Sequence, residues 1–494
     1  LNCRYVSQDD EKVWKHVYHQ RRKTGVFQFT AEGARKFCEN AKPTTIEELA
    51  ALTAIYRPGP LRANVHKKYV KDKANAENIK YAHPIIKDIL GTTFGHVTFQ
   101  EQFMLLAQKL GGFSPAESDK LRKTLVKKSL DTMGKKGDER EAARKKFVTG
   151  AKEINGVPES VSQELWERIE FFSVYGFNKS HAIAYALDSY YAAWLHTYYE
   201  TDWLGTILES ENNNPDNLAK AISEIKAMGF EVSTPDINES GIAWTWSENK
   251  KSFIPPLTAI KGLGKNAVKE IFANRPYESI DQMLFNEEGK WYHSKLNKTG
   301  FAALCKVEAL HSLKEMWDGT IGNHKQLHEI IIENYNDLKK SRWGMTLRQA
   351  KKKDAPDRFL QLIDETADTD DWNRLEKLQM YQDLCSATRD DLAFPEEMLA
   401  KIQSSGVKSV LQFAPGEKGI GWFCVIEWIK KLTKNKKTFY RIKITDNENN
   451  TGWLRMWGNK PSSMTPYSIW LTKAHNDPNW GASTSVAKVR PLIV

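Results

Sequence analysis

Asn178, Lys179, Ser180 and His181 stand side by side after Gly176-Phe177, and a long segment rich in Ala, Tyr and Leu comes next. An amide, an ammonium, a hydroxyl and a titratable imidazole at a turn-to-helix junction can together hold an anion. The first amides of a helix lack an intrahelical acceptor, and the helix dipole there favours negative charge. The same residues also have a plainer reading, in which Asn178 or Ser180 is an N-cap and the far face of the helix is core. Arg57, in Arg57-Pro58-Gly59-Pro60, is a second cation with a fixed direction. Neither proline donates an N–H, and Pro58 drives Arg57 toward extended backbone. This rigid loop suits a phosphate contact, or it is a stiff connector with an incidental arginine. Arg122 and Lys123, with Lys127 and Lys128, fall on one broad helix face that would meet either an anion or only water.

Three further sets lie elsewhere. In Thr258 to Ile271, TAIKGLGKNAVKEI, Gly262 and Gly264 allow a tight turn, and the amides that open the next helix, beside Lys265, point outward. Such a turn grips a phosphate backbone without reading sequence, or it is a plain connector; the spacing is not that of a P-loop. Tyr440, Trp453 and Trp457 sit in alternating segments, where each would either stack on a base or fill an interior. His16 and His19 are three apart, as a ligand pair or as a surface pair, and no third ligand is near in sequence. The acidic pairs Asp9-Asp10, Asp370-Asp371 and Asp390-Asp391 are adjacent residues, which do not face one site on a helix. No catalytic residue and no metal ligand set is therefore assigned to this chain.

The elements that must position these residues can be read from periodicity. Residues 25–205 read as mostly helical. Thr45-Ile46-Glu47-Glu48 is a helix start, and residues 114–150 form a charged helical hairpin capped by Ser114 with Glu117. Asn212 to Pro215 is a turn, and prolines at 235, 255 and 256 punctuate the segment beyond it. Residues 318–414 are helical by period and heavily charged, including Lys351-Lys352-Lys353-Asp354. From about 415 the pattern changes to short alternating strands: 421–429, a basic turn at 434–437, 438–444, a polar turn at 446–450, and 451–457. The expected architecture is multidomain and mainly α, with a C-terminal β-barrel of OB type.

Length and composition agree with this. The 494 residues suffice for several cores, and 40% hydrophobic with 11% aromatic residues indicates a folded chain. A net charge of +10, with lysines clustered at 120–146, 338–353 and 430–437, points to a polyanionic partner. No apolar run would span a bilayer and no signal-peptide pattern opens the chain, so no membrane role and a cytoplasmic location are expected. The five scattered cysteines show no metal or disulfide spacing. Residue 1 is Leu, which reads as a fragment or processed product, and Asn2-Cys3 is the junction an excised intein would leave.

Phe171 to Tyr199, with YGFNKSHAIAYAL at its centre, resembles the fingers motif of bacterial DNA polymerase III alpha subunits, the C-family replicative polymerases. In the same order Gly25-Val26-Phe27-Gln28, Ala54 to Leu61, Phe99-Gln100-Glu101-Gln102, Leu121-Arg122-Lys123, Pro235 to Asn238 and Ile260 to Gly264 resemble further signatures of that family. At one of these the chain departs: Leu125-Val126-Lys127-Lys128 replaces the usual Met-Gly-Lys-Lys. The resemblance implies an end of palm at 1–24, fingers at 25–205, a helix-hairpin-helix module at 206–317, a helical connector at 318–414 and an OB domain at 415–494. It implies that Asn178, Lys179, Ser180 and His181, with Arg57, Arg122 and Lys123, hold an incoming dNTP. Gly262, Gly264 and Lys265, together with Tyr440, Trp453 and Trp457, would hold primer-template DNA. The family's catalytic aspartates belong to upstream motifs that do not occur in this sequence. Mg²⁺ would then be held by a separate or missing palm and PHP-containing fragment. Asp281-Gln282-Met283-Leu284-Phe285 resembles a sliding-clamp peptide, although apolar residues at that place also suit core. The alternative expectation is a non-catalytic DNA-binding protein derived from a polymerase.

Overall fold

In the computed structural model the described residues are 5–20, 22–126, 135–173, 176–313, 321–340, 355–385, 389–433, 436–447, 451–478 and 481–493. The chain forms two compact units, Leu1–Leu204 and Gly205–Val494.

The first unit is helical and has two cores. One core joins Val13, Trp14, Val17 and Tyr18 to Leu49, Ala50 and Leu52 and to Ala182, Ala186, Tyr190 and Ala193. The small residues on Ile46–Ile55 and Lys179–Tyr198 let these two helices approach closely, and the aromatic residues of the first segment fill the space that remains. Residues 11–18 thus share a core with the long helix. The second core is built from Phe103, Leu106, Leu121, Phe147, Trp166 and Ile169. There Gly150 is required: a Cβ on it would stand 2.3 Å from the Gly111 carbonyl oxygen.

The helix starts obey their sequences. Thr45 Oγ1 accepts from the Glu48 N–H (3.2 Å), and the Ser114 side chain accepts from the Glu117 N–H while Glu117 accepts from the Ser114 N–H. The hairpin expected at 114–150 is present as Pro115–Val126 against Lys135–Asn155; Lys127 and Lys128 lie outside the described residues. One expectation is corrected. Arg57 to Pro60 is not a loop: Pro58 opens the short helix Pro58–Arg62, and Arg57 is its extended N-cap. Proline is tolerated at the first helical position because its missing N–H would have had no partner there.

In the second unit, β1 (Glu231–Val232), β2 (Thr245–Ser247) and β3 (Ser252–Ile254) form a small sheet in the order β1-β3-β2. One core then runs from Leu257, Ile260, Leu263 and Val268 through Met283 and Leu284 to Leu327, Ile330, Phe359 and Leu362. The helices His324–Lys340 and Ala355–Glu365 are therefore packed against the glycine-turn module rather than strung beyond it. Met283 and Leu284 are fully buried and Phe285 nearly so, as the core reading of this segment expects.

The C-terminal barrel comprises β4 (Lys418–Leu432), β5 (Thr438–Thr445), β6 (Thr451–Trp457), β7 (Ile469–Asp477), β8 (Gly481–Ser485) and β9 (Val489–Ile493). Neighbouring strands run β4-β5-β6-β8-β7, and β4 also pairs with β7, closing the ring; β9 adds to β7. β4 serves both ends because a bulge between Val425 and Glu427 bends it. Phe423, Val425, Ile442, Ile444, Leu454, Met456 and Trp470 fill the interior. This is the expected OB-type barrel. Cys38, Cys305, Cys385 and Cys424 are buried and form no disulfide, and burial pushes each thiol up to about 12. Among the described residues no helix is long and apolar enough to cross a membrane.

Candidate functional site

The turn before the Lys179–Tyr198 helix is held by a segment far away in sequence. The Phe177 N–H donates to the Thr98 carbonyl (3.3 Å), the Gln100 N–H donates to the Phe177 carbonyl (2.9 Å), and the Gln100 side chain donates to the Gly176 carbonyl (3.0 Å). Glu101, next along, turns its carboxylate onto the helix start. Its Oε2 accepts from the Lys179 N–H at 2.9 Å and its Oε1 from Asn178 Nδ2 at 3.0 Å. Asn178 Oδ1 accepts from the His181 N–H (2.8 Å) and from Ser180 Oγ (2.6 Å). Asn178 is thus a true N-cap, and the amides of Lys179 and His181 already have acceptors within the protein. Side chains remain toward solvent: exposed Ser180 and His181 and half-buried Lys179.

Arg57 joins them. Its guanidinium lies 4.5 Å from the centre of the Phe177 ring, and its Nε donates to the Ala54 carbonyl (2.8 Å). Burial draws its pKa below the usual arginine value. The His181 ring packs on Phe177 (5.4 Å) and Tyr185 (4.1 Å), and Tyr185 packs on the exposed Phe27 (5.0 Å). Residues from 25–28, 54–61, 99–102 and 177–181 therefore meet around one cationic turn. Arg122 and Lys123 make local ion pairs on their own helix. Arg122 reaches Asp119 Oδ1 (2.9 Å) and Lys123 reaches Asp119 Oδ2 (2.7 Å), and these two bonds hold the Asp119 carboxyl below its usual range, Lys123 acting most strongly.

The glycine turn in the second unit has the opposite character. Gly262 takes φ +93°, which only glycine adopts without strain, and exposed Gly264 is the N-cap of Lys265–Asn274 with no side-chain hydrogen bond. A Cβ on Gly264 would meet nothing within 4 Å. The helix thus opens toward solvent uncapped, with Lys265 beside it. The turn is anchored from behind, where the Lys261 N–H donates to the Leu384 carbonyl and Lys261 Nζ to the Asp383 carbonyl (both 2.9 Å).

On the barrel, register sorts the aromatics. Trp453 and Trp457 face outward, each 38% exposed. They share that face with Phe439, Arg441, Lys443 and Arg455, through the pairs Phe439↔Trp457, Arg441↔Arg455 and Lys443↔Trp453. Arg441 stacks over Trp453 (4.5 Å). Tyr440 stands on the other face, paired with Met456 and packed against the interior. Successive strand residues point to opposite sides, so a residue adjacent to Phe439 and Arg441 cannot share their groove.

His16 and His19 diverge. His19 Nε2 lies 2.9 Å from the Pro43 carbonyl, whereas His16 faces Glu200. Of the acidic pairs, Asp10 caps the first helical turn and accepts from Tyr198 Oη, and Asp371 pairs with Lys377; the side chains of Asp390 and Asp391 lie outside the described residues. Sequence reasoning missed Glu101 as an occupant of the helix start, and missed Phe439, Arg441 and Arg455. The barrel set was available from strand parity; Glu101 had no local signal.

The chain is similar to known proteins over both units. Residues 1–155 match the finger domain of the bacterial DNA polymerase III alpha subunit, and residues 229–317 match a helix-hairpin-helix motif. Proteins named DNA polymerase III subunit alpha align with it. That of Aquifex aeolicus is 36% identical over 339 residues, covering 68% of this chain and 28% of the relative. That of Borreliella burgdorferi is 35% identical over 338 residues, with the same coverage. That of Helicobacter pylori (strain 26695) is 32% identical, covering 62% and 25%. The chain spans little more than a quarter of the length of these relatives.

Proposed function

We propose that this chain, which belongs to the bacterial DNA polymerase III alpha-subunit family, binds an incoming dNTP and primer-template DNA for templated DNA synthesis. The observation that carries the reading is the convergence of four separated segments on the turn that bears Lys179, Ser180 and His181 and that Arg57 meets through Phe177. Lys179 and His181 supply charge-assisted donors to the triphosphate, Ser180 a hydroxyl, and Arg57 a guanidinium held over the Phe177 ring. Such fixed donors stabilise the charge that develops during phosphoryl transfer. The uncapped turn at Gly262, Gly264 and Lys265 meets a DNA backbone phosphate, and the outward barrel face stacks single-stranded bases on Trp453 and Trp457.

Mg²⁺ does not fit the residues that converge. The turn carries Lys179 and His181 and meets Arg57, and the carboxylate beside it, Glu101, already accepts from the Lys179 N–H and Asn178 Nδ2, whereas Mg²⁺ selects several oxygen ligands. In this reading the magnesium ions come with carboxylates of a palm fragment, and no step of transfer is assigned to this chain.

The test is dNTP titration of the chain and of its Lys179→Ala/His181→Ala double variant. Two lost charge-assisted bonds, at about 1.5–3 kcal/mol each, predict an affinity lower by about 100-fold or more. Equal affinity in both would remove the turn from nucleotide binding. Retained single-strand binding with no dNTP binding at all would instead favour a purely DNA-binding role.

A further inference from the structure

Three side chains from separate elements of the first unit point at one place. His16 lies on the π-helical turn Trp14–Tyr18, His196 in the last turn of Lys179–Tyr198, and Glu200 at the start of Glu200–Glu211. His16 Nε2 is 3.3 Å from Glu200 Oε1, and His196 Nδ1 is 3.6 Å from the same oxygen. All three donor atoms lie within 4.8 Å of one another. In a tetrahedral zinc site, with bonds of about 2.0–2.1 Å, neighbouring donors stand roughly 3.3–3.4 Å apart. The two separations to Glu200 are therefore those of a zinc edge, or slightly longer.

A second observation points the same way. His196 is completely buried, and neither of its ring nitrogens has a hydrogen-bond partner. Buried imidazoles ordinarily satisfy their nitrogens, and one without a partner, facing a carboxylate and a second imidazole, has a lone pair that neither a donor nor a metal ion engages. His16 and Glu200 are 25% and 21% exposed, so the fourth position opens to water. Arg22 also pairs with Glu200 Oε1 and is 27% exposed, so a metal ion at this place would compete with it for that oxygen.

We propose that His16, His196 and Glu200 form a zinc-type site, with water as the fourth ligand, that fastens the N-terminal segment to the end of the long helix. Two imidazoles and one carboxylate suit Zn²⁺ and not Mg²⁺. The site is independent of nucleotide binding, which belongs to the other end of that helix.

The experiment is calorimetric titration of chelator-treated chain with Zn²⁺, with Mg²⁺ in parallel, and thermal melting of both. One Zn²⁺ per chain is expected, and no Mg²⁺ at this place. A melting temperature higher by about 5–10 °C is expected at 100-fold excess over Kd. His16→Ala and Glu200→Gln, both at partly exposed positions, should each weaken zinc binding at least 10-fold; Arg22→Ala should leave it unchanged or tighten it. Absence of zinc binding, or wild-type zinc affinity in either His16→Ala or Glu200→Gln, overturns the assignment. A drop in affinity on Arg22→Ala also overturns it, because the arginine would then be building the site rather than competing for it.

Discussion

Replacing Glu101 by Gln probes whether phosphate belongs at the start of the Lys179–Tyr198 helix. The carboxylate accepts from the Lys179 N–H and from Asn178 Nδ2, at 2.9 and 3.0 Å. Glutamine keeps one oxygen acceptor and loses the charge. Exchanging charge-assisted bonds for neutral ones costs about 1 kcal/mol, and losing an anion at a helix start about 0.5 kcal/mol more. The variant should therefore melt a few degrees lower, as judged by circular dichroism. Nucleotide affinity should move the other way. A triphosphate reaching Lys179 and His181 would bring negative charge within roughly 5 Å of this carboxylate; at effective dielectrics of about 20 to 80 the repulsion is about 3 to 0.8 kcal/mol. Calorimetric dNTP titration of Glu101→Gln should show tighter binding, by about 4-fold at physiological salt and more at low salt. A variant that is less stable but binds dNTP no better, or worse, refutes the placement of phosphate at this turn.

The remaining sites give further expected outcomes. Trp453→Ala and Trp457→Ala should each weaken single-stranded DNA binding by about 1–3 kcal/mol in fluorescence anisotropy, while Tyr440→Phe leaves it unchanged. Gly262→Ala forces a side chain to φ +93° with Thr299 Cγ2 at 3.4 Å, and should cost about 1–2 kcal/mol in denaturant unfolding. Lys265→Glu should lower duplex affinity for all sequences alike and reduce its salt slope by about 1. His324 is almost fully buried, and burial lowers its pKa to about 4 despite Glu308 at 3.9 Å. A folded-state pKa below the unfolded value near 6.5 gives stability that is whole above pH ~6.5 and is lost as pH falls toward ~4, by a few kcal/mol. His324→Gln should flatten that part of the urea-stability profile.

How much could be read in advance depended on whether the deciding contact was local. Thr45 with Glu48 and Ser114 with Glu117 are three residues apart, and both caps form as their spacing implies. Strand alternation gave the barrel, and parity counted from Ile442 would also have turned Tyr440 inward. Pro58 misled because the same residue type ends one helix and begins the next, and the sequence around it does not say which. Glu101 lies 77 residues from Asn178, and His16 lies 184 from Glu200, so no pattern within either neighbourhood announces its partner. The burial of Met283, Leu284 and Phe285 was decided in the same way, by Phe359 and the helices that arrive later in the chain.

The first core also sets a timetable. Tyr18 hydrogen-bonds to Ser189, 171 residues onward, and Trp14 packs on Tyr190. At a synthesis rate of about 5–20 residues per second, this aromatic segment waits roughly 10–30 s for these partners to be made. During that interval Trp14 and Tyr18 have only nearby partners such as Phe29, and the faces that meet the long helix stay uncovered. Anything that stalls translation between them lengthens that exposure.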